Sequence, residues 1–146
     1  MRFPDIEEVV AVAAATLRRF PATLLAALAA CAAAFILVDY SGPDDPLVRL
    51  LLASILGIAL MFSIESGAER DGRVRWRLPA TGIAAIVLGA FWVLSEDWSE
   101  TQRFERFGQL LLAFHLLAAF AAFIGFDEEN GFWQFNKALF LRFWTA

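Results

Sequence analysis

The residues most able to do chemistry are few, and they sit in unusual surroundings. His115 is the single histidine, and it interrupts a long apolar stretch as Phe114-His115-Leu116. An ionisable ring among hydrocarbon side chains is costly and by default faces protein or a cavity. Because imidazole exchanges protons near neutrality, such a ring suits a proton relay or a ligand contact. Its plainer role is an interhelical hydrogen bond to a carbonyl or hydroxyl. Glu65, flanked by Ser63 and Ser66, closes another apolar run. It could hold a cation or a proton, or it could be a solvated helix end. With Gln109 these two would form the polar path of a transporter or channel component. No second histidine or carboxylate within an apolar run accompanies His115, so no metal site is expected. Catalytic and cofactor-binding residues are not expected either. The chain has no phosphate-binding glycine loop, no HExxH and no GxSxG.

A second group is basic. Arg70-Asp71-Gly72-Arg73-Val74-Arg75-Trp76-Arg77 alternates arginines with apolar residues. Arg70, Arg73, Arg75 and Arg77 could rest on anionic headgroups while Val74 and Trp76 dip into the interface. Alternatively the stretch is an ordinary basic loop. Asp44-Asp45 and Asp127-Glu128-Glu129 are too short and too turn-like for a calcium loop. Cys31, the single cysteine, lies in an apolar run and reads as a small packing residue rather than a reactive thiol.

The elements that must position these groups are written in the hydropathy. The hydrophobic fraction is 60 %, against roughly 45–50 % for ordinary soluble domains. Four runs, Ala22–Val38, Leu50–Ile64, Leu78–Leu94 and Phe107–Phe126, contain no Asp, Glu, Lys or Arg. About 20 residues of helix cross a hydrocarbon core of ~30 Å. Leu50–Ile64 is short by that measure and is extended by Leu47 and Val48, with Arg49 snorkelling to the headgroups. The runs are continuous rather than alternating, which excludes barrel strands. The expected fold is therefore all-α. It is a polytopic four-helix transmembrane bundle in one domain over 1–146, with spans at 21–38, 47–64, 78–94 and 107–126. Residues 4–20 repeat Ile6, Val9, Val10, Ala13, Leu17 and Phe20 along one face, the pattern of an amphipathic helix. That helix lies on the membrane surface or packs on the rest of the protein. Residues 132–146 open as a further helix and stop without a cap, as a fragment of a longer protein would.

Short loops separate the runs: acidic at Asp39–Pro46, basic at Glu65–Arg77, mixed at Ser95–Arg106. Trp92, Trp98 and Phe104 suit an interfacial aromatic belt. With the N-terminus inside, one side carries Arg2, Arg18, Arg19, Arg70, Arg73, Arg75, Arg77, Lys137 and Arg142; the other carries Arg49, Arg103 and Arg106. Nine against three places both termini in the cytoplasm. A net charge of −4 argues against a nucleic-acid partner. Lipid is the expected partner, with self-association or the rest of a longer chain as others. Small residues at four-residue spacing, Ala22/Ala26/Ala30/Ala34, Ala53/Gly57, Ala85/Gly89, Ala118/Ala122 and Ala121/Gly125, would let helices approach closely.

Thr16-Leu17-Arg18-Arg19-Phe20-Pro21 and the segment Phe132–Phe143 resemble the N-terminal region of a bacterial multi-pass membrane family, domain of unknown function 4153. The resemblance implies a multi-pass architecture and an inner-membrane location, and carries no site residues with it. A non-enzymatic anchoring, scaffolding or oligomerising bundle is the leading reading. A transporter or channel component is the second, and a lipid-modifying enzyme or subunit the third.

Overall fold

A computed structural model describes residues 5–42, 45–70 and 74–121, together with Trp133, Asn136, Lys137 and Leu141. The described residues form five helices: α1 (Ile6–Arg19), α2 (Pro21–Asp39), α3 (Asp45–Arg70), α4 (Val74–Leu94) and α5 (Glu100–Ala121). They contain no strand. α2 to α5 are each long and apolar enough to cross a membrane. The acidic stretch 127–131 and most of the further helix expected at 132–146 lie outside the described residues. Trp133, Asn136, Lys137 and Leu141 are themselves helical.

Local signals explain the helix ends. Acidic Glu7 and Glu8 open α1, and Arg18 and Arg19 close it, as the helix dipole favours. Pro21 occupies the first turn of α2, where its missing N–H costs nothing. α5 begins seven residues before the expected span because Ser99 and Gln102 form a reciprocal cap. The Gln102 amide donates to Ser99 Oγ at 3.3 Å, and the Ser99 amide donates to Gln102 Oε1 at 3.2 Å. α3 likewise runs from Asp45 to Arg70, so much of the expected basic loop is helix.

α2 to α5 alternate in direction, but they do not form a square bundle. α2, α4 and α5 each pack mainly on α3. The core accordingly lies along α3: Leu52, Ala53, Leu56, Ala59, Leu60 and Met61 are buried, joined by Ala30, Ala33, Ala84 and Phe91. The small-residue stripes are only partly used as spaced in the sequence. On α2 the buried pair is Ala30 and Ala33, not Ala34, which is exposed. Each four-residue step overshoots a helical turn by about 40°, so the inward line drifts to the earlier residue. On α4 the inward residue is Ala84; Ala85 and Gly89 are exposed. At Gly57 three helices crowd together, since a Cβ there would meet Ala26 Cβ and Leu88 Cδ1, each at 3.2 Å. At the far end of α3, a Cβ on Gly67 would lie 3.1 Å from the Ala121 carbonyl oxygen.

α1 stands apart. Val10, Ala13 and Leu17 of its apolar stripe are exposed, so the stripe is not packed on the other helices at these positions. Among the described side chains of the stripe, only Phe20, just beyond the end of α1, is half-buried, 5.5 Å from the Phe62 ring. Cys31 is exposed on α2, a correction to its expected packing role.

Gly57→Leu should therefore push α2 and α4 off α3 and cost about 1–3 kcal/mol. Gly89→Leu, whose added Cβ meets nothing within 4 Å, should be close to neutral. Unfolding in mixed micelles, followed by circular dichroism, would compare the two; equal losses would refute this account of the packing.

Candidate functional site

Two polar centres stand at opposite ends of α3. At one, Glu65 is 1 % exposed. It is no solvated helix end. α2 starts at Phe20-Pro21, where no side chain caps the helix and the first amides lack partners. Glu65 reaches across from α3 and supplies the missing acceptors. Ala22 N donates to Oε1 at 2.9 Å, Thr23 N to Oε2 at 3.2 Å, and the Thr23 hydroxyl to Oε2 at 2.7 Å. Arg77 of α4 completes the shell, its Nη2 lying 2.8 Å from Oε1 and donating also to the Arg19 carbonyl at 2.8 Å. One carboxylate thus ties the α1–α2 junction, α3 and α4 together. Negative charge at a helix N-terminus is favourable in itself, and charge-assisted bonds are the strong ones.

At the other end Arg49 and Arg103 are 5 % and 6 % exposed. Arg49 does not snorkel. Its Nη1 donates to the Trp92 carbonyl and to Glu96 Oε2, both at 3.1 Å. Its Nε lies 2.8 Å from Asp45 Oδ2, an ion pair by distance without a well-aligned hydrogen bond. The guanidinium also sits 5.2 Å from the Trp92 ring, whose Nε1 donates to the Pro46 carbonyl at 3.2 Å. Arg103 pairs with Asp45 and donates from Nε to the Ser95 carbonyl at 3.2 Å. Asp45 therefore bridges α3 to α5, and Arg49 bridges α3 to the end of α4. Trp98, expected in an aromatic belt, is instead half-buried and packs edge-on to Phe91 at 5.8 Å; Phe104 is exposed.

The other sequence candidates are dispersed. Gln109 is exposed near the middle of α5 and accepts from Arg106 Nη1 at 3.4 Å. His115 lies six residues further along α5, about 9 Å by helical rise. The ring is exposed and makes no interhelical hydrogen bond among the described residues; its Nδ1 is 2.8 Å from the Leu111 carbonyl of its own helix. The interhelical role falls to Ser63, whose Oγ donates to Ala59 O at 2.7 Å and reaches Phe114 O at 3.4 Å. His115, Glu65 and Gln109 share no hydrogen bond, and no polar path connects them among the described residues. Arg75 is exposed; Arg77 is half-buried and committed to Glu65. The side chains of Arg70 and Arg73 lie outside the described residues. No group of three or more His, Cys, Asp and Glu that could hold a metal occurs among the described residues.

Two apolar grooves flank α2. One, of about 480 Å³, runs over α3 toward α4 past Ala26, Gly57, Ala85 and Gly89. The other, of about 420 Å³, runs over α3 toward α5 and is lined by Thr23, Ile58, Phe62, Leu111 and His115 among others.

Removing the Glu65 carboxylate leaves Arg77 and three other donors without their acceptor. Glu65→Leu should cost about 3–5 kcal/mol, and the double variant with Arg77→Leu should recover part of that loss. Reversible unfolding in micelles measures both; a Glu65→Leu protein as stable as the parent would refute the capping role.

No protein-family model, curated protein or solved structure matches this chain.

Proposed function

We propose that this chain is an integral membrane module that anchors and scaffolds, rather than a catalyst or a conduit. The carrying observation is the spacing of its buried charges. Arg49 and Glu65 lie sixteen residues apart on α3, about 24 Å by helical rise, close to the thickness of a hydrocarbon core. Between them the outward faces of α2, α4 and α5 carry exposed Leu25, Leu28, Ile83, Ile86, Leu112 and Leu116. Side chains of that kind belong in acyl chains, and the two polar centres then lie at the two interfaces. The buried charged side chains, Arg49, Glu65 and Arg103, are all paired with protein groups that hold helices together. Their bonding capacity goes into fixing the bundle.

The arginine-rich Glu65 end faces the cytoplasm in this reading, on the nine-to-three distribution of basic residues. α1 then leaves the bundle at that face and lies in the interface, its exposed Val10 and Leu17 in the acyl boundary. A bacterial inner membrane is the location that the family resemblance implies.

Reconstituted in proteoliposomes, the protein should pass no protons above the rate of empty vesicles, and His115→Leu should change nothing. A gradient-driven flux abolished by His115→Leu would favour the transporter reading. Alkaline carbonate washing tests the membrane assignment separately, and release of the chain into the wash would overturn it.

A further inference from the structure

The groove between α2 and α5 differs from its neighbour in one chemical respect: an ionisable ring lines it. A carbonyl oxygen can only accept, so the 2.8 Å contact to Leu111 O requires His115 Nδ1 to carry a proton and donate. In the neutral ring Nε2 is then an unprotonated acceptor. No described residue donates to it. We propose that this groove binds an uncharged single-chain amphiphile, with its hydroxyl donating to His115 Nε2 and its chain lying against α3 and α5.

The order of residues along the groove carries the orientation. Ser63 bonded to the Phe114 carbonyl fixes the level of His115, close to the Glu65 end. Thr23, at the same end, holds the other polar side chain of the lining. Toward the middle of α3 the lining turns wholly apolar, through Ile58, Ile55 and Leu111. A polar head at the interface and a chain directed inward match that gradient. The volume of about 420 Å³ falls in the range of small-molecule sites, which are mostly apolar with a few placed polar groups. A long-chain alcohol or a monoacylglycerol has the required chemistry. The proposal needs the chain to span a bilayer, which the carbonate wash tests independently, and does not depend on scaffolding.

Diazirine-bearing hexadecanol, photolysed with the full chain in zwitterionic nanodiscs, is the probe. Labels are expected on peptides holding Ile55–Phe62 and Leu111–Ala119. Unlabelled hexadecanol should compete about five-fold better than its methyl ether, which cannot donate. His115→Leu should erase that difference, while His115→Gln, which keeps an acceptor near the Nε2 position, should restore much of it. Nitrogen NMR of the ring gives a readout that folding alone would not move: the Nδ1–H tautomer, with an Nε2 shift on adding the alcohol. Equal competition by the ether, labelling centred on Gly57 and Gly89, or stronger competition by palmitate would each overturn the proposal.

Discussion

A carboxylate withdrawn from water must find every hydrogen bond inside the protein. Glu65 does so by taking over a duty that the sequence around Phe20 leaves undone. A helix beginning at Pro21 exposes amides at Ala22 and Thr23 with no side-chain cap of its own. In a bilayer those amides would have no water to turn to. Placing a charged acceptor there from another helix answers two costs at once, and it also fixes where α2 can sit on α3. Arg77 then sits where the remaining lone pair of Oε1 is, and its second bond, to the Arg19 carbonyl, sets the point at which α1 departs. Burying a charge pair is not by itself stabilising. Its return here is register: four segments meet at one group.

The opposite end obeys the same constraint with the signs exchanged. Two guanidiniums are buried, and Asp45, Glu96 and the carbonyls of Trp92 and Ser95 surround them. Arginine suits this role because its fork of donors reaches several acceptors in fixed geometry. The carbonyls of Trp92 and Ser95 are among those that the end of α4 leaves without helical partners. α3 is thus pinned at both termini by ionic centres, while the stretch between them packs through Leu52, Leu56, Leu60 and small residues. Lipid offers no hydrophobic drive for helix association. Were the bundle in a bilayer, specific end contacts and the close approach at Gly57 would have to supply it.

Much of the architecture was legible in the chain. Charge-free runs near bilayer length gave four helices, because that signal is compositional and survives any error in packing. Helix ends were read less well. The Ser99–Gln102 cap was present as a Ser-x-x-Gln pattern, and α5 began where that pattern says. Hydropathy alone places the start at Phe107. The sequence alone reads Arg49 as snorkelling to the headgroups and Arg103 only as a basic residue of a mixed loop. It reads Glu65 as a cation or proton site or a solvated helix end, because it shows a charge near a helix end without showing what faces it. Partners of each lie 42 to 58 residues away, and no local spacing encodes those pairings; Asp45–Arg49, four residues apart, and Glu65–Arg77, twelve apart, lie nearer in the chain. The stripe Ala85/Gly89 misled for a different reason: small residues permit close approach but do not compel it, and α4 turned Ala84 inward.

That last distinction bears on how the grooves arise. Three helices resting on one central helix cannot also close fully on one another, so furrows remain on each side of α2. Were α2, α4 and α5 bulkier toward α3, the furrows would widen; were they smaller, the outer helices would meet. The furrows are therefore a consequence of an α3-centred layout. What separates the two is the imidazole of His115. His115 is not needed to join helices, since Ser63 already spans α3 and α5 at that level. An exposed ring lining an apolar furrow, bonded through one nitrogen to its own backbone, has its other nitrogen without a donor among the described residues, which is the position the proposed amphiphile would fill.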